Sequence, residues 1–87
     1  MDKWERFQEI HRECLELAKE KDRLYGDLAI GALGGKGVFV RIWDKANRLK
    51  SLIWDGKEET SDEKVVDTLR DLINYATFAI LVCEERA

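Results

Sequence analysis

Proline is absent from the 87 residues, so nothing in the chain locks φ or removes a backbone donor, and long uninterrupted helices are favoured. Histidine occurs once, at His11, with no serine or cysteine arrangement to pair with it. That leaves an ordinary surface histidine rather than a nucleophile–base couple. Cysteine is scarce. Cys14 and Cys83 both sit beside apolar residues in helical patterns and read as two buried free thiols, not as a disulfide or a metal site. A long apolar run is also lacking: the segment 72–83 is broken by Asn74 and is too short to span a bilayer. Met1-Asp2-Lys3-Trp4 has no apolar targeting stretch, so the expectation is a cytoplasmic protein with no membrane contact. Nor is there an excess of positive charge. The net charge is −3, which gives no global signal for nucleic acid, although a local basic patch stays open.

What is present is apolar residues at 45% and charged residues at 38%, the mixture of a globular chain. The length allows one domain, 1–87, whose core is marginal unless it is helical and well packed, or completed by another subunit. Helical spacing runs from about Asp2 to Tyr25, with Trp4, Phe7, Ile10, Cys14, Leu17 and Ala18 inward and Gly26 able to stop it. Five of the six glycines fall between Gly26 and Gly37. A short helical turn at Leu28–Leu33 and then a loop fit there. A phosphate loop does not, because the spacing is wrong and no strand precedes it.

A second helix is expected from Val38 to Trp54, closed by Asp55-Gly56, with Val38, Phe39, Ile42, Trp43, Ala46, Leu49, Leu52 and Ile53 as its apolar set. Thr60 and Glu63 form a Thr-x-x-Glu capping box that opens a third helix running to about Glu85. Its expected core stripe is Val66, Leu69, Ile73, Ala76, Ile80 and Cys83. The expected fold is all-α: a small antiparallel bundle of three main helices plus the short turn, completed by oligomerisation into a dimer or tetramer.

Asp67 and Asp71 break the apolar pattern of the third helix. Four residues apart, they stand one turn from each other and about 40° apart around it, and Asn74 and Tyr75 extend the same face. Carboxylates near a core cost several kcal/mol unless cations or donors meet them. The second helix supplies Arg41, Lys45 and Arg48 beside Asp44. One reading is a salt-bridge network that fixes helix register. The other is a divalent cation such as Mg²⁺ held by Asp44, Asp67 and Asp71, with Lys21, Lys45 and Arg48 neutralising phosphate. Glu13 and Glu16 join such a site only if their face turns toward the third helix.

Three ordered blocks carry a family resemblance: Lys19-Glu20-Lys21-Asp22-Arg23-Leu24-Tyr25-Gly26-Asp27, Val40-Arg41-Ile42-Trp43-Asp44-Lys45-Ala46-Asn47-Arg48-Leu49-Lys50-Ser51-Leu52, and Val66-Asp67-Thr68-Leu69-Arg70-Asp71-Leu72-Ile73-Asn74-Tyr75-Ala76. Together they resemble the first "nucleotide modification associated domain" of phages and bacteria. The layout is also similar to the all-α nucleoside triphosphate pyrophosphohydrolases of the MazG type, which hold Mg²⁺ on a Glu-x-x-Glu and a Glu-x-x-Asp. Glu13-Cys14-Leu15-Glu16 matches the first element, whereas Asp67-x-x-x-Asp71 departs from the second.

The resemblance implies a Mg²⁺-dependent, nucleotide-processing protein acting on a nucleotide or modified nucleotide. Asp44, Asp67 and Asp71, with Glu16, would hold the metal. Lys21, Lys45 and Arg48 would bind phosphate, and Tyr25, Asn74 and Tyr75 would contact base or sugar. A non-catalytic nucleotide-binding or regulatory helical oligomer, its charged residues paired as structural salt bridges, stands beside it.

Overall fold

Asp2 begins the first helix as a cap: its carboxylate accepts the Glu5 backbone N–H at 2.8 Å and its carbonyl accepts that of Arg6 at 3.1 Å. The computed structural model describes residues 2–25, 34–56 and 62–86. They form α1 (Lys3–Tyr25), α2 (Gly34–Leu49), a π-helical segment (Lys50–Asp55) continuing α2, and α3 (Asp62–Arg86), with no strand among the described residues. The all-α expectation holds. The short turn at Leu28–Leu33 and Thr60 of the capping box lie outside the described residues. Among the described residues no helix is long and apolar enough to cross a membrane.

α2 starts four residues before the expected Val38. Gly34 opens it at φ +59°, a left-handed conformation that suits glycine. Glycine costs about 1 kcal/mol per residue against alanine in a helix, so packing must hold this turn. Val38, 1% exposed, anchors it, and Gly35 lines a groove with Ala79, Val82 and Cys83 of α3.

The other end departs from a regular helix as well. Lys50 and Asp55 pair at 2.9 Å across five residues, a spacing the wider π turn brings together and an α turn does not. The segment carries Leu52 into the core at 2% exposure, and Gly56, at φ +58°, closes it by donating to the Ser51 carbonyl.

α2 and α3 form an antiparallel hairpin, since the start of α2 meets the end of α3. α1 packs on α3 more sparingly. Among the described residues the buried apolar set is Cys14, Val38 and Leu52, joined by Thr68, whose hydroxyl donates to the Lys64 carbonyl at 2.8 Å. Much of the expected core is therefore corrected. Val66, Leu69, Ala76, Ile80 and Cys83 of the α3 stripe are exposed, and so are Trp4, Phe7, Phe39, Trp43, Ile53 and Trp54. Cys14 is a buried free thiol as expected, and Cys83 is an exposed one.

Candidate functional site: two lysines on one aspartate

Three residues from three helices meet where α1, α2 and α3 come together. Lys21 lies two turns beyond buried Cys14 on α1, and Lys45 two turns beyond buried Val38 on α2. Asp71 lies three residues beyond buried Thr68 on α3. Helical periodicity therefore turns all three toward the interior. Lys21 Nζ donates to Asp71 Oδ1 at 2.7 Å, and Lys45 Nζ lies 3.1 Å from Asp71 Oδ2. The Asp71 side chain is 18% exposed against 26% for Lys45 and 43% for Lys21, so the junction is covered on the carboxylate side and open on the ammonium side.

Burial pushes the Asp71 carboxyl up, but the hydrogen bonds and charges of Lys21 and Lys45 outweigh it and hold the group below its ordinary value. A carboxylate with a depressed folded pKa contributes stability above its unfolded pKa of about 4 and loses it as pH falls through the folded value. Thermal melts of wild type and Asp71→Asn between pH 7 and pH 2.5 should therefore show a gap that is widest near neutrality and closes in acid below pH ~4. A gap that stays constant with pH would mean the charge of Asp71 contributes nothing.

A second polar row joins α1 to α3. The Asn74 side-chain amide donates to the Cys14 carbonyl at 3.0 Å. Arg70 reaches Glu13 at 3.5 Å and Asp67 at 3.3 Å, and Arg6 holds Glu13 from its own helix at 3.1 Å. The Arg6 hydrogen bond, followed by the charges of Arg6 and Arg70, keeps the Glu13 carboxyl low against the opposing effect of burial. Glu13 thus does turn toward α3, while Glu16 points to solvent and pairs with Lys19 at 3.5 Å. Arg70 has no place in the sequence reading. Its position between two acidic residues on α3 was the available signal, and only the approach of Glu13 gives it a partner across helices.

The remaining expected site residues do not converge. Asp67 is 64% exposed. With Thr68 marking the buried flank of α3, Asp71 lies about 60° around the helix from it and Asp67 about 100°, which carries Asp67 out to solvent. Asp44 and Arg48 are exposed and make no ion pair among the described residues, and Tyr75 is half-buried. Tyr25 ends α1, and its side chain lies outside the described residues. Among the described residues no three of histidine, cysteine, aspartate and glutamate form a group that could hold a metal ion. Asp71 itself does not fit Mg²⁺ in this arrangement, because an ammonium group already stands against each of its oxygens and would repel the cation.

Beside the junction, α1 and α3 enclose a groove of about 260 Å³ lined by His11, Leu15, Ala18, Asn74, Phe78 and Leu81 among others. That is just under the roughly 300 Å³ at which small-molecule pockets begin, so it could cover part of a flat ligand and not enclose a whole nucleotide.

This arrangement defines a small all-α protein whose helices hold two lysines on a shared carboxylate, open on the cationic side. The model of the family described as nucleotide modification associated domain 1 matches residues 38–82. That is just over half of the chain, which belongs to this family. The matched segment contains Lys45 and Asp71 and leaves Lys21 outside it. No curated protein and no solved structure matches the chain.

Proposed function

We propose that the protein is a nucleotide-binding module in which Lys21 and Lys45 take the phosphate groups and Asp71 holds the two ammonium groups in place. The observation that carries this reading is the junction itself: two ammonium groups from different helices within 3.1 Å of one carboxylate. Two cations against one anion leave a local charge of +1, and the exposed flank faces solvent through the lysines. Each lysine spends one of its three donors on Asp71 and keeps two for an incoming anion. Arg48, exposed one turn along α2 from Lys45, extends the cationic row. The adjoining groove, with Asn74 at its edge and apolar walls, supplies a surface for a base or sugar. Membership of a family associated with nucleotide modification supports a nucleotide over other phosphorylated ligands.

A Mg²⁺-dependent pyrophosphohydrolase of the MazG type is the second reading. It is favoured by the exposure of Asp44, Asp67 and Glu16, which leaves these carboxylates accessible to a metal shared between copies. The first reading requires no metal.

Thermal shift with a panel of canonical and modified (d)NTPs, with Mg²⁺ and with EDTA, tests both. A ligand at a hundred times its Kd should stabilise the fold by about 2.7 kcal/mol, a rise on the order of 10 °C for a domain of this size. The proposal expects that rise to survive EDTA and to vanish in Lys45→Met. Stabilisation that requires Mg²⁺, with pyrophosphate released, would transfer the assignment to the hydrolase. A melt that no nucleotide moves would remove both.

A further inference from the structure

The α3 stripe that the sequence assigns to the core is the strongest unassigned feature of the surface. Val66, Leu69, Ile73, Ala76, Ile80 and Cys83 follow one another at intervals of 3, 4, 3, 4 and 3 residues, the heptad spacing of a helix that packs along its length against another helix. Among the described residues, no helix of its own chain covers most of it. Ile80 is 60% exposed, Leu69 and Val66 41%, and Ala76 and Cys83 are exposed as well. α2 meets α3 along Asp71, Ala79 and Val82, and α1 meets it through Arg70, Asp71 and Asn74. Of the stripe, Ile73 lines the groove beside α1 and Cys83 that beside α2, while Val66, Leu69, Ala76 and Ile80 face neither.

α2 repeats the pattern. Phe39, Trp43 and Ala46 are spaced 4 and 3 apart, all three are exposed, and the two aromatic rings lie 6.4 Å apart, centre to centre. In α3 the stripe is offset by about 100° from the direction of α2, and in α2 by about the same angle from the direction of α3. Because the helices run antiparallel, equal offsets put both stripes on one side of the hairpin. Phe39 and Cys83 indeed line one apolar groove there.

We infer that this face is the interface of a homodimer, in which α3 of one copy lies antiparallel along α3 of the other and α2 flanks it. Three observations choose a second copy. The heptad spacing calls for a helix. The stripe is self-complementary about its midpoint: antiparallel pairing sets Val66 against Cys83, Leu69 against Ile80 and Ile73 against Ala76 of the other copy, so that every apolar position meets an apolar one and the central Ile73 meets a small Ala76. Parallel pairing stacks Ala76 on Ala76 and Ile80 on Ile80. Finally, the exposed parts of Phe39, Trp43, Val66, Leu69 and Ile80 sum to on the order of 500 Å² of apolar surface. That is most of the roughly 800 Å² per partner of a stable interface, on a chain whose described core holds three apolar side chains. The lysine junction stays outside the interface, so this inference is independent of the nucleotide assignment.

Sedimentation and light scattering on the full chain test it, together with Ile80→Glu and a Val66→Cys variant. The expected results are a particle of twice 10.1 kDa, conversion to a helical monomer by Ile80→Glu, and covalent dimers of Val66→Cys under mild oxidation through a bond to Cys83 of the other copy. A monomeric wild type at 100 µM, or an Ile80→Glu protein that remains dimeric, would overturn the interface. A wild-type dimer linked Cys83 to Cys83 would overturn the antiparallel pairing. Should Ile80→Glu not fold, the cross-link of Val66→Cys decides alone.

Discussion

Asp71→Asn should lower stability by about 1.5–3 kcal/mol, the range for hydrogen bonds to charged groups, and the melting temperature by on the order of 10 °C for a domain of this size. Asparagine keeps the shape of the side chain and one acceptor, but two ammonium groups then face each other without the negative charge between them. Lys45, 26% exposed, can turn only partly to water, and Lys21, 43% exposed, escapes more easily. The loss should therefore stay well below that of a fully buried pair losing a partner. Circular dichroism melts at pH 7 check it. A variant as stable as wild type, or more so, would mean that Asp71 is held at a cost to stability and serves the ligand rather than the fold.

Leu52→Ala is expected to be at least as damaging, at about 2–5 kcal/mol. Leu52 is 2% exposed and one of three buried apolar side chains among the described residues, so there is little neighbouring core to collapse into the void. It also lies within the π-helical segment that continues α2, on the same face as buried Val38. A domain of this length has only several kcal/mol in total, so the variant should be largely unfolded at 37 °C. Denaturant titration measures the effect, and a loss under 1 kcal/mol would show that the site is loosely packed. The exposed neighbour Ile53→Ala is the matched control and should cost far less.

The second and third blocks of the resemblance fall inside the family match at residues 38–82, and the first, at 19–27, lies outside it; the helices fall close to their expected bounds. The site was legible only in part. The need for a cation opposite Asp71 follows from placing a carboxylate in an apolar helix, and Lys45 is met there. Asp67 looked equivalent because four residues return almost to the same face. The 40° that remain decide between the junction and solvent. Asp44 fails for a related reason, since the residue next to an inward Lys45 points some 100° away.

The sequence by itself determined that the chain is helical, because proline is absent and apolar residues recur at helical spacing, and that α3 carries a charge needing a partner. It also marked the Val66–Cys83 stripe as a surface to be buried. Only the tertiary structure decided which surface does the burying. α1 and α2 use the Asp71 and Ala79 flanks of α3 and leave most of the heptad stripe outward. Periodicity shows that a helix has an apolar side but carries no information on whether its own chain or another covers it. Likewise, only the meeting of three helices put Lys21, fifty residues away in the chain, at 2.7 Å from Asp71, since ion pairing depends on distance in space and spacing along one helix cannot supply it.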